Sequence, residues 1–272
     1  MAGRLLSAGF PLTVYNRNPA KADALAKSEA RVAKTPSDAA AGADVIIAMV
    51  SDDAASREIW MGANGALSAA QAGACLVEAS TLSVQWVVEL AAAAATQKCE
   101  FLDAPVTGSK PQAAEGQLLF LVGGSASVLD GVRPVLAAMS RDIVYLGPTG
   151  SGARLKLINN FLCGVQAASL AEAMSMIHVG GLDPEKALSV LTGGAPASPL
   201  IKLISARATS GDKDKNFILR LMAKDLSYAR DEAKRAGLTA ETSSAALEIF
   251  KNAIEKGYGD MDFSAVVNSL RK

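Results

Sequence analysis

The feature that most constrains this chain is a change of rhythm near its middle. Through residue 148, short β-rich runs alternate with Ala-rich helical runs; beyond Gly147-Pro148-Thr149-Gly150 no convincing strand follows. Strands alternating with helices form right-handed βαβ units around a mainly parallel sheet. The pattern predicts an α/β chain: a Rossmann-like domain over 1–148, then an all-helical domain over 149–272. Strands are expected at 12–16, 44–50, 75–78, 101–102, 118–122 and 143–146, and helices at 1–9, 20–30, 37–41 and 84–96. The run DVIIAMV at 44–50 is continuously apolar, as in a strand covered on both faces. In the second half, Gly164 is the only breaker between Ala153 and Val179. Leu155, Ile158, Leu162 and Val165 recur there at helical spacing, and Leu170 and Met174 continue the apolar side, predicting one long helix that stops at Gly180-Gly181. Further helices are expected at 184–191, 199–207, 217–236, 242–256 and 263–270.

Composition narrows function more than fold. Lys plus Arg equals Asp plus Glu, 27 against 27, so the basic excess of a nucleic-acid binder is absent. Three widely spaced cysteines, Cys75, Cys99 and Cys163, argue against a disulfide framework or a thiolate zinc site. The single histidine, His178, excludes a multi-histidine metal cluster. The run at 44–50 is too short to cross a bilayer, and the N-terminus lacks the order of a signal peptide. A cytoplasmic protein with no metal, nucleic-acid or membrane partner is expected.

The chain opens on MAGRLLSAG, which reads as the middle and end of an amphipathic helix with Gly9 as its cap. It leads at once into the strand at 12–16. In a dinucleotide-binding fold this is the second part of a βαβ unit. Its first part is a strand with a Gly-x-Gly-x-x-Gly turn that brings pyrophosphate to a helix N-terminus, and no such fingerprint occurs in the sequence. That strand is expected ahead of Met1, in the middle of the sheet. Without it, two inner strand edges lose partners and either nicotinamide cofactor should bind poorly. A phosphate cradle made differently is the alternative.

Several short segments carry chemistry. At the end of the second strand of such a fold, an acid bonds the ribose 2′-hydroxyl whereas Arg accommodates a 2′-phosphate. Asn16 and Arg17 stand there, which predicts NADP(H) as the preferred cofactor, with NAD(H) second; the plain alternative is a solvated loop arginine. Asp103-Ala104-Pro105-Val106-Thr107-Gly108-Ser109 follows an apolar run, and its Gly and hydroxyl residues suit backbone N–H groups facing a small anion. An ordinary strand-to-loop turn has the same composition. Gly150-Ser151-Gly152 opens the long helix, with Lys156 and Asn160 one turn apart on a face opposed to Ile158, Leu162 and Val165. A charged lysine near the positive end of a helix is disfavoured, which suits proton transfer, and Asn160 suits a substrate oxygen. A surface lysine with an asparagine beneath it is the alternative. Lys224-Asp225 reads in isolation as an exposed charged pair, His178 as a residue of the helix end, and Trp60 and Trp86 as packing residues.

Taken together, TVYNRNPAKADAL (13–25), Glu78-Ala79-Ser80-Thr81, DAPVTGSKPQAAEGQL (103–118), GSGARLKLINN (150–160) and KDLSYA (224–229) resemble the β-hydroxyacid dehydrogenase family. That family includes 3-hydroxyisobutyrate dehydrogenases, tartronate semialdehyde reductases and glyoxylate/succinic semialdehyde reductases. The segments stand in family order over nearly the whole chain. The resemblance implies that Lys156 is the catalytic lysine and Asn160 its substrate-orienting partner. It implies that Thr107, Gly108 and Ser109 bind the substrate carboxylate, with Thr in place of the usual Ser at 107. It also implies that Val50, Ser51 and Thr81 line the adenosine and nicotinamide side of the cofactor, which Lys224 reaches from the helical domain. The loop 107–118 looks more like the glyoxylate/succinic semialdehyde reductases than the 3-hydroxyisobutyrate enzymes, and Lys156 speaks against the imine reductases. The implied activity is NADP(H)-dependent hydride transfer to or from a small aldehyde acid or hydroxy acid, by a homodimer or homotetramer. A 3-hydroxyisobutyrate dehydrogenase-type enzyme is the second reading. A non-catalytic, dehydrogenase-like oligomerisation or binding module, favoured by the missing Gly turn, is the third.

Overall fold

The computed structural model describes residues 1–210 and 214–270 and divides into two compact units, Met1–Lys156 and Leu157–Lys272. The first unit contains eight strands: β1 (Thr13–Val14), β2 (Arg31–Val32), β3 (Val45–Ala48), β4 (Cys75–Glu78), β5 (Glu100–Asp103), β6 (Val106–Thr107), β7 (Leu118–Gly124) and β8 (Ser140–Gly147). Between them lie α1 (Ala2–Ser7), α2 (Asp23–Ala26), α3 (Pro36–Ala40), α4 (Asp53–Met61), α5 (Val84–Thr96), α6 (Lys110–Glu115) and α7 (Ala126–Ala137). The main sheet runs β3-β4-β5-β7-β6, with β8 also paired to β7. Strands β3, β4 and β5 are parallel, as are β7 and β8, whereas β7 runs antiparallel to β5 and β6. This is the Rossmann-like, mainly parallel architecture that the alternation predicts.

β1 and β2 form their own parallel pair, with Thr13 opposite Arg31. Among the described residues no ladder joins β1 to β3. The strand expected at 44–50 is shorter, and only Ala48 of its four residues is fully buried, whereas all four residues of β4 are. The reason is position: β3 has a ladder partner on one side only, and an edge strand is screened less than a central one. The helix expected over 20–30 is reduced to a 3₁₀ turn at Pro19–Lys21 and the short α2. That segment buries little beyond Ala22 and Ala30, so tertiary packing adds nothing to a marginal propensity. The core of the unit joins Leu5 of α1 to Val77, Leu102, Phe120 and Val122 of the sheet and Leu129 of α7.

The second half is helical, as expected: α8 (Ser151–Val179), α9 (Pro184–Gly193), α10 (Pro199–Ser210), α11 (Leu219–Arg235), α12 (Glu241–Ala253) and α13 (Val266–Ser269). An isolated bridge, Ile218 to Asp262, is the only strand-like pairing among the described residues of the second unit. By length and composition α8 meets the requirement for a membrane-crossing helix, which the run at 44–50 does not. Its Ala167, Leu170, Ala171 and Met174 lie in the core of the second unit instead.

The apolar stripe of α8 and its buried face are different surfaces. Leu155, Ile158 and Leu162 are 36%, 49% and 52% exposed, whereas Lys156 and Asn160 are only 9% and 5% exposed. Small residues decide which side packs. A Cβ added to Gly164 would stand 2.8 Å from Leu226 Cδ2, so α11 approaches α8 where a side chain is missing. Gly152 does the same at the start of α8: its added Cβ would overlap the carbonyl oxygen of Leu121 and stand 2.8 Å from that of Asp103. The first turn of α8 therefore rests directly on β5 and β7.

Candidate active site

Ligands of open α/β sheets bind beyond the carboxyl ends of the parallel strands. Beyond β3 the chain runs into Val50-Ser51, and beyond β4 into Ser80-Thr81. These loops are tied together, because the Val50 N–H donates to Ser80 Oγ at 2.7 Å. Ser51 Oγ donates to Asp52 Oδ2 at 2.8 Å, and Asp52 caps α4 by accepting the Ala55 N–H at 2.8 Å. Asp53 accepts the N–H and hydroxyl of Ser83 at 2.9 and 2.5 Å, and Ser83 caps α5 through the Trp86 N–H. Beyond β1, Asn16 Oδ1 accepts the Asn18 N–H at 2.9 Å, an Asx turn that leaves Arg17 exposed. Hydroxyls, amides and a guanidinium at these strand ends fit the ribose and nicotinamide ends of a dinucleotide. Among the described residues no glycine-rich strand-to-helix turn supplies a pyrophosphate cradle.

The loop after β5 starts from Asp103, which is fully buried and accepts the N–H groups of Gly150 and Ala153, each at 2.8 Å. Burial pushes its pKa up to about 6, against the pull of those hydrogen bonds. Thr107 pairs with Leu119 in the β6–β7 ladder. Gly108 adopts φ +103°, where a Cβ would crowd Gln112 and Leu118. Ser109 gives both its N–H and its hydroxyl to Gln112 Oε1, at 2.9 and 3.1 Å, and so starts α6.

Asn160, in the second unit, donates from Nδ2 to Asp225 Oδ2 at 2.5 Å and accepts from Asn159 at 2.9 Å. Lys224 Nζ lies 3.0 Å from the other Asp225 oxygen and 5.2 Å from the Tyr228 ring centroid. Asp225 is 1% exposed and the Lys224 side chain 16%, so the pair that reads in isolation as exposed joins a buried acid to a largely covered lysine. The structure thus brings Asn160 and Lys224 to one carboxylate. Of the other sequence-derived residues, Val50, Ser51 and Thr81 share two tied loops, Asn16 and Arg17 share a turn, and Lys156 follows the Asp103 clamp on α8. Asp225 is the residue that sequence reasoning missed; the only available signal was an acid beside Lys224 on a helix with apolar neighbours.

Comparison with known proteins agrees with this layout. Residues 1–147 match the family model described as the NAD binding domain of 6-phosphogluconate dehydrogenase. Residues 150–270 match the one described as NAD-binding of NADP-dependent 3-hydroxyisobutyrate dehydrogenase. Glyoxylate/succinic semialdehyde reductase 2 of Arabidopsis thaliana is 32% identical over 100% of this chain and 76% of its own length. Mitochondrial 3-hydroxyisobutyrate dehydrogenase of Rattus norvegicus is 33% identical over 100% of this chain and 83% of its own. The solved structure of Mycobacterium tuberculosis 3-hydroxyisobutyrate dehydrogenase with L-serine superimposes with a TM-score of 0.89 at 31% identity, covering 100% of this chain and 94% of that one.

The Asp103 clamp predicts a pH dependence of stability. The folded protein holds its carboxyl pKa at about 6, above the ordinary 3.8. Its contribution is therefore complete below the ordinary value and lost as pH rises through about 6. At about 1.36 kcal/mol per pH unit, the loss between pH 4 and pH 7 is about 3 kcal/mol at most. Urea unfolding across that range should show this loss in the wild type and not in Asp103→Asn; identical pH slopes would refute the assignment.

Proposed function

The chain belongs to the β-hydroxyacid dehydrogenase family of NAD(P)-dependent oxidoreductases, and from that premise we propose that it transfers hydride between NADP(H) and a small aldehyde acid or the corresponding hydroxy acid, as a glyoxylate or succinic semialdehyde reductase does. The observation that carries the reading is the buried polar pair on α8. Lys156 and Asn160 lie one turn apart, both inward, on the helix whose start Asp103 clamps. The cofactor, when bound, supplies the hydride. Lys156 gives a proton to the carbonyl oxygen as negative charge develops there, where stabilisation lowers the barrier most. Asn160, its amide held by Asp225, orients the substrate oxygen. The segment Thr107, Gly108 and Ser109 receives the substrate carboxylate. A 3-hydroxyisobutyrate-type substrate is the second reading, supported by relatives of that name at 32–33% identity.

NADP(H) preference rests on Arg17, whose guanidinium suits a 2′-phosphate and whose neighbours Asn16 and Asn18 bring no opposing acid. Homo-oligomerisation rests on the exposed apolar stripe of α8, Leu155, Ile158 and Leu162. A cytoplasmic setting belongs to the same proposal, and the free thiols of Cys75, Cys99 and Cys163 suit a reducing compartment.

Three measurements check these assignments. Lys156→Ala should cut kcat by about a hundred- to ten-thousand-fold, the range of a lost general acid, and leave cofactor binding nearly intact; near-normal kcat on every small aldehyde acid tested would end its role as proton donor. Arg17→Ala should raise KM for NADPH more than for NADH, whereas equal effects would reduce Arg17 to a surface residue. Light scattering should give at least a dimer, and a monomer at every concentration would refute the oligomer.

A further inference from the structure

Glu78 closes β4, is fully buried, and takes no part in the reaction described above. Four donors converge on it. The Ser56 hydroxyl and the Trp60 indole N–H reach Oε2 at 2.7 and 2.8 Å, and the Ser80 N–H reaches Oε1 at 2.9 Å. The Ser80 hydroxyl is the fourth. An ionised carboxylate offers about four lone-pair sites and no proton of its own, so this donor set matches the anion. Burial pushes the Glu78 pKa up, and the same four bonds pull it down.

The network continues in two directions. Ser80 Oγ accepts the Val50 N–H at 2.7 Å, and Ser56 Oγ accepts the Trp86 indole N–H at 2.8 Å. One carboxylate therefore links the ends of β3 and β4 to α4 and α5. Apolar side chains would hold two helices on a sheet without the cost of a buried charge. Such packing is non-directional, whereas hydrogen bonds fix where each loop stands.

We propose that Glu78 is a positioning residue for the nicotinamide cofactor: through Ser80 it holds the Val50-Ser51 and Ser80-Thr81 loops in their binding geometry, and through Ser56 and Trp60 it couples both tryptophans of the chain to that site. This rests on the cofactor reading above. The chain has two tryptophans, Trp60 and Trp86, and both donate into the network, so their indole N–H resonances report on it directly.

The test uses the full chain and NADP⁺, followed by the two indole N–H signals. In the wild type both signals should shift saturably with NADP⁺. Glu78→Gln keeps the volume but turns an N–H₂ group onto at least one donor. It should move both signals in the free protein and raise the Kd for NADP⁺ about tenfold, as when only about a tenth of the molecules hold the binding-competent loop geometry. Ser80→Ala removes only the hydroxyl between Val50 and Glu78, and should weaken NADP⁺ binding and speed amide exchange at Val50 while the helical unit exchanges as before. Unchanged affinity in Ser80→Ala overturns the proposal whatever Glu78→Gln does, and so does a Glu78→Gln protein that binds NADP⁺ like the wild type. If the wild type itself shows no binding of NADP⁺ or NAD⁺ even at millimolar concentrations, where weak binding would still register, the cofactor reading falls, and this proposal falls with it.

Discussion

Asp103 takes the N–H groups of Gly150 and Ala153, each at 2.8 Å, at a place from which water is excluded. A helix start leaves such groups without intrahelical partners, and its positive end favours an anion. The clamp works because Gly152 and Gly123 carry no side chain: an added Cβ at Gly123 would stand 2.6 Å from Asp103 Oδ1. Along one continuous helix, residues three and four apart share a side. Lys156, Asn160, Gly164, Ala167 and Ala171 fall on the buried side, and Ile158 and Leu162 fall on the exposed one. Lys156 stands three residues beyond Ala153, whose N–H the Asp103 carboxylate accepts.

A second carboxylate governs the next turn of the helix. Asp225 offers one oxygen to the Asn160 amide and the other to Lys224. The acceptor on one side and the Asn159 donor on the other leave the Asn160 amide a single sensible orientation. A buried ion pair of this kind adds little net stability, but removing one partner strands a charge. Its value is orientation, and the same holds for Glu78. Each of the two units therefore uses a buried acid to aim neighbouring groups.

Where the sequence was legible, periodicity and burial agreed. The strand at Cys75–Glu78 and the helix at Val84–Thr96 have the bounds expected of them, because both are short apolar elements packed into a core. The 20–30 segment has helical composition but buries too little to become one continuous helix. The spacing of Lys156 and Asn160 was legible, while their burial was not, since the apolar stripe pointed to the opposite face. Packing of α8 follows small residues, which a hydrophobic pattern does not register. Asp103, Glu78 and Asp225 were illegible as anchors for a related reason. Many of their partners are remote in sequence, including backbone N–H groups and an indole, and an acid at a strand end looks the same whether it caps a distant helix or sits in a turn.

The two surfaces of α8 also bear on what such a helix is for. A helix that served only to hold subunits together needs an apolar stripe, and Leu155, Ile158 and Leu162 provide one. Nothing in that task calls for a lysine and an asparagine on the other side. Burying them forgoes the stability that apolar residues of similar volume would add, and departures of this kind from local consistency concentrate where chemistry is done. The inward lysine and the amide held by Asp225 are the part of α8 that oligomerisation does not account for and that the proposed proton transfer to a bound oxygen would.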